Sequence, residues 1–158
     1  MTPDAAQPRP DDDLLRLVAL DTEDLAVLSA HAQDAVLRVE DINWLPREGH
    51  LVLGINRFAW ESTPGGSWRK RDYQRRRSAL HFARVGKVQS AGIDRAARDT
   101  VLALLAVRFE QRDPPSGDVV LDFAGGAAIR LAVEVLEVQL TDLGPAWSTP
   151  VAPRHVLP

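Results

Sequence analysis

The chain has 158 residues, of which 45% are apolar and 26% charged, and a formal net charge of −3; this is the composition of one globular domain able to bury its own core. It has no cysteine, which excludes disulfides, zinc–thiolate sites and thiol nucleophiles, and its mild acidity gives no global reason to expect nucleic acid or an acidic membrane as partner. No stretch reaches the length of a transmembrane helix, and the opening MTPDAAQPRPDDD lacks the apolar centre of a signal peptide, so a cytoplasmic protein is expected.

Residues 1–12 are rich in Pro and Asp and read as a disordered tail. Alternation of Leu15, Leu17 and Ala19 predicts a first strand. Asp21 then has the chemistry of a helix N-cap, with Glu23 and Asp24 in the first turn where the helix dipole favours them, and with Leu20 and Leu25 at the positions of a hydrophobic staple. Leu25, Leu28, Ala32 and Ala35 share one face, so a helix from Thr22 to about Asp34 is predicted, with Glu23, Ser29 and Gln33 turned to water.

A second strand spans Val36 to Leu45, where Leu37 and Val39 lie on one parity and Ile42 and Trp44 on the other; a bulge near Asp41 reconciles them. Pro46-Arg47-Glu48-Gly49 has the composition of a type I turn. The strand after it, His50 to Trp60, turns Leu51, Leu53 and Ile55 inward, then Phe58 and Trp60. Glu61 to Gln74 is a polar, glycine-containing loop, and Arg75 to Ala83 a strand with Leu80 and Phe82 inward. Arg84 to Ile93 either continues that strand or pairs back on it, with Gly86 as a bend, and Arg95 to Thr100 is a connector. Val101 to Glu110 is nearly all apolar; its Ala and Leu would suit a buried helix, but Val107 and Phe109 run straight into the Asp113–Gly117 turn, so it reads as a central strand.

The best-patterned stretch comes last. Val119, Leu121 and Phe123 alternate before the glycines, and Ile129, Leu131 and Val133 after them. A two-residue Gly125-Gly126 loop would put these two rows on opposite faces. A three-residue loop, Ala124-Gly125-Gly126, pairs Leu121 with Ile129 and Val119 with Leu131, keeps both rows on one side, and requires a left-handed Gly126. Beyond Val133 the parity breaks, and the Val-rich run to Leu140 reads as a strand in preference to a helix. Successive hairpins with one early helix make the fold class α+β: a curled, mainly antiparallel sheet or partly open barrel with one covering N-terminal helix, of which a pleckstrin-homology-like barrel is one concrete form. The domain is expected over 13–147, with an extended tail over 148–158.

The sharpest chemical feature is basic. Trp68, Arg69, Lys70, Arg71, Tyr73, Arg75, Arg76 and Arg77 mix cations with two aromatics around a single acid, Asp72. Such a mixture can hold phosphate and stack a base. The alternative is a solvated loop and strand edge with Arg stems lying on apolar surface. His31 and Asp34 are spaced to share a helix face but have no third ligand nearby; His81 alternates out of the apolar row toward an exposed or edge position. Asp21, Glu23 and Asp24 are explained by capping, Asp94 and Arg95 by a turn, and there is no GxSxG nucleophile motif. Trp147, after Gly144-Pro145, reads as an anchor of the C-terminus. No catalytic residue, metal or cofactor is expected. The reading is a non-enzymatic binding or protein-interaction module, its partner another protein or a second copy of the chain, with nucleic acid or another anion at Arg69–Arg77 as the alternative.

Several stretches together carry a resemblance: LVALDTEDLAVLSAHAQDAVLRVED, NRFAWE, RRRSALHFARV, GIDR, LLAVRFE, FAGGAAIRL and LTDLGPAW. As a set, spanning Leu14 to His155, they resemble a bacterial family known only as domain of unknown function 2948. The resemblance implies a small cytoplasmic bacterial protein and supplies no functional residue to carry over.

Overall fold

The computed structural model describes residues 14–58 and 75–144. These form β1 Arg16–Ala19, α1 Thr22–Ala32, β2 Val36–Arg38, β3 Ile42–Leu45, β4 His50–Phe58, β5 Arg75–Phe82, β6 Val85–Ala91, β7 Val101–Gln111, β8 Gly117–Phe123, β9 Ala128–Val133 and β10 Val138–Asp142. All ten strands join one antiparallel sheet in the order β1-β10-β5-β4-β2-β7-β8-β9-β6, with β3 beside β4. Among the described residues the path does not close; β1 and β6 are its two ends. This is the expected α+β class, a curled sheet with one covering helix. The two tails, the loop 61–74, Trp60 and Trp147 lie outside the described residues. No helix among the described residues is long and apolar enough to cross a membrane.

α1 begins where its cap chemistry places it: the Asp21 carboxylate accepts from the Asp24 amide at 2.8 Å, satisfying one of the free first-turn N–H groups. Leu25, Leu28 and Ala32 are buried and pack the helix onto the sheet, mainly against β7 and β1. Two expectations change. Leu20 is 62% exposed, so it does not staple the helix entry onto Leu25. Ser29 is half-buried, and its hydroxyl accepts from the Val107 amide at 2.9 Å, beside the irregularity between Leu104 and Ala106 in the β7–β8 register. A hydroxyl facing the sheet can satisfy a backbone donor that the ladder leaves over.

The parity change expected at Asp41 is a single 3-10 turn over Val39–Asp41 in place of a bulge. It peels the chain off β7 and onto β4, so β2 bridges β4 and β7 while β3 pairs β4 alone. The Pro46–Gly49 turn is closed by the Gly49 amide donating to the Pro46 carbonyl. Val101–Gln111 is the central strand, held between β2 and β8. The 119–131 hairpin has the derived register, Val119 opposite Leu131 and Leu121 opposite Ile129, and both Gly125 (φ +82°) and Gly126 (φ +86°) are left-handed. β6 does not pair back on β5; Arg84, at φ +60°, turns the chain away, and β6 pairs β9. After Val133 the chain leaves β9, and β10 enters between β1 and β5. One apolar cluster fills the interior, running from Ala19 and Leu28 through Leu51, Leu80 and Leu104 to Leu131 and Leu140.

Candidate functional site

The open side of the sheet makes a cleft. Among the described residues, neither β3 nor β6 has a strand on its outer side. The Val85 amide donates to the Gly49 carbonyl at 2.8 Å, bringing the start of β6 against the β3–β4 turn. At the opposite end the Val39 and Glu40 amides donate to the Thr100 and Arg98 carbonyls at 3.0 and 3.1 Å. Between these two ties lies a cleft of about 410 Å³. Its floor is apolar: Ile42 and Trp44 from β3, Leu51 from β4, Val88 from β6, Ile129 from β9, and Ile93. Its rim is polar, formed by Glu40, Asn43, Ser90, Arg95 and Arg98. The turn carrying the two arginines is fixed by Asp94, whose carboxylate accepts from the Ala96 amide at 3.0 Å and whose carbonyl accepts from Ala97 at 3.1 Å. The heads of Arg95 and Arg98 are exposed, and neither makes an ion pair or side-chain hydrogen bond among the described residues.

Those residues singled out from the sequence that are described fall elsewhere. Trp68, Arg69, Lys70, Arg71 and Tyr73 lie outside the described residues. Arg75, Arg76 and Arg77 are on β5, which is an interior strand between β10 and β4 and so no sheet edge. Arg75 stacks over the Phe58 ring at 4.2 Å. Arg76 and Arg77 are buried, at 4% and 9% exposure. Arg77 donates to Asn56 at 3.2 Å and lies 3.6 Å from Asp41; burial lowers its pKa and Asp41 offsets part of that. His81, on the same interior strand, is half-buried with its ring edge-on to His50 at 4.5 Å. Burial first, then the His50 ring, pushes its pKa below the ordinary value against the opposing pull of Glu137. Asp34 sits just past α1 in a left-handed conformation (φ +66°), and no group of three or more His, Cys, Asp or Glu gathers to hold a metal among the described residues.

A family model described as "Protein of unknown function (DUF2948)" matches residues 15–155. The chain belongs to this family. No curated protein and no solved structure matches it.

In this DUF2948 chain the most deeply buried polar group went unseen in the sequence. Arg57 is fully buried and holds Asp142 through two hydrogen bonds, Nε to Oδ1 at 2.8 Å and Nη2 to Oδ2 at 2.7 Å. Ser78 donates to the same carboxylate at 2.6 Å and the Leu15 amide at 2.8 Å. Burial raises the Asp142 pKa, but these donors outweigh it and hold the group below the usual carboxylate value. The signal was available as parity. Arg57 continues the buried row Leu51, Leu53, Ile55; Ser78 continues Phe82, Leu80; Asp142 continues Val138, Leu140. Phe58, read as inward, belongs to the opposite parity and is half-exposed.

On the outer face of β7, β8 and β9 a second network covers Val120, which is only 3% exposed. Asp118 accepts from Arg130 at 2.6 Å and Arg112 at 2.7 Å; Arg130 also donates to Glu110, and Arg108 to both Glu110 and Asp122. Burial raises the Asp118 pKa, and the arginine hydrogen bonds bring it below the ordinary value. The network's three cations and three anions balance, so it reads as a cover over apolar surface that attracts no charged partner.

Proposed function

We propose that this protein is a non-enzymatic binding module of the reducing cytoplasm and that the cleft between β3 and β6 is its ligand site. One observation carries this: a largely apolar-floored space of about 410 Å³ whose charged groups, among the described residues, stand at its mouth, within the usual size of a small-molecule site. The lining favours binding over catalysis. Among the described residues it offers one carboxylate, Glu40, and one hydroxyl, Ser90, with no histidine to pair with either. The rival reading, an anion site at Trp68–Arg77, draws no support from Arg76 and Arg77, which are buried.

The test is a fragment screen read by methyl resonances of isoleucine-labelled protein. Ligands of the cleft shift Ile42, Ile93 and Ile129 together, and leave Ile55, buried in the closed core, unmoved. A screen whose hits spare those three methyls and map to other surfaces overturns the assignment.

A further inference from the structure

We infer that the cleft selects a small organic anion, with an apolar body on the floor and one negatively charged head between Arg95 and Arg98. This rests on the cleft being the ligand site, and it adds the class of ligand.

The floor sets the body. Trp44, Ile42, Val88 and Ile93 present an aromatic and aliphatic surface with no charged group among them, which rewards a flat ring or a short acyl chain. The rim sets the head. Arg95 and Arg98 rise from one turn whose backbone is tied at Asp94 and, through the Arg98 carbonyl, to Glu40. Their stems are thus anchored while their guanidinium heads have no counter-ion among the described residues. Two such forks suit the planar oxygens of a carboxylate, sulfonate or phosphate. The acids nearby do not cancel them. Glu40 faces Arg38 at 4.0 Å, Asp94 is engaged by its own turn, and Asp99 does not line the cleft but a neighbouring hollow that Glu40 and Arg98 also border, with no ion pair to Arg98. The mouth keeps a net positive charge, so a cation is repelled and a neutral ligand leaves both arginines unanswered. The hydrogen bonds at Gly49–Val85 and Val39–Thr100 close the gap at both ends, which favours a compact molecule over an extended polymer.

Two dyes with the same apolar body test this at low salt. Anilinonaphthalene sulfonate carries an anionic head, and phenylnaphthylamine does not. Both should bind the full chain with one-to-one saturation, the sulfonate more tightly. The variant Arg95→Gln/Arg98→Gln alters only exposed heads, so its thermal melt should be unchanged. It should weaken the sulfonate by roughly tenfold or more, the order of one charged hydrogen bond, and leave the amine within about twofold. Glu40→Gln should tighten the sulfonate alone. Ser90→Trp from the β6 rim, or Asn43→Trp from the β3 rim, should block both dyes. If the two dyes bind alike and the arginine variant changes neither, the anion preference is wrong and the cleft stands. If neither dye saturates, or both still bind when the rim is blocked, the cleft itself is not the site.

Discussion

Replacing Asp142 by Ala should be among the most damaging single changes to this fold. The substitution removes the carboxylate that accepts from Arg57 Nε and Nη2, Ser78 Oγ and the Leu15 amide. Arg57 and Asp142 side chains are both fully buried, so water cannot replace the lost partner. Breaking a buried ion pair from one side typically costs about 3–5 kcal/mol. A domain of this size has only about 5–15 kcal/mol in hand. At about 2–4 °C per kcal/mol, the melting temperature should fall by roughly 6–20 °C. Urea unfolding followed by far-ultraviolet dichroism measures it directly. The control is the triple variant Arg57→Met/Ser78→Ala/Asp142→Leu, which exchanges the polar cluster for apolar groups of similar reach. It should recover most of the loss, because the penalty comes from keeping the Arg57 charge buried after its carboxylate is removed rather than from the value of the pair. A single variant that loses less than about 1 kcal/mol, or a triple variant no better than the single, refutes this account.

Asp118→Ala is the contrasting case: Arg112 and Arg130 heads are 64% and 38% exposed and can rehydrate, so the loss should be about 1–2 kcal/mol by urea titration, well below that of Asp142→Ala. Gly117→Ala should destabilise by roughly 1–3 kcal/mol in the same assay, since the new Cβ would meet Phe109 Cζ at 2.5 Å and the Glu110 carbonyl oxygen at 2.6 Å, and the backbone oxygen cannot step aside. Acid should act in two stages. His81 has a folded pKa below its unfolded value, so stability is full above about pH 6.5 and declines as pH falls through the folded pKa; His81→Gln should flatten melting temperature against pH in that window. Asp142 and Asp118 are also depressed, so their contribution is present above about pH 4 and is lost as pH falls through their folded values, a second decline that His81→Gln should leave in place.

What could be read from the sequence was local. The 119–131 register follows from parity and one turn, the start of α1 from Asp21, and the strand character of Val101–Gln111 from its exit into a tight turn. What could not be read was which distant strands meet. Nothing in Val138–Asp142 says that it will lie between β1 and β5, yet that placement creates the Arg57–Asp142 pair, 85 residues apart in the chain. The strand-edge placement of Arg75–Arg77 changes for the same reason: three consecutive arginines look like an exposed border until the strand is known to be interior, where Arg76 and Arg77 alternate between two covered faces. The cleft draws its floor from residues as far apart as Ile42 and Ile129, each of which alone resembles ordinary core.

The late arrival of β10 also has a bearing on how the chain is made. As the polypeptide leaves the ribosome, β1 and β5 must each wait with an unoccupied flank until residues 138–142 emerge, some 125 positions after Arg16, the partner of Thr141. Until then Arg57 has no Asp142 to receive it. A nascent chain arrested short of that point therefore holds two bare strand borders, the condition under which neighbouring copies stick together.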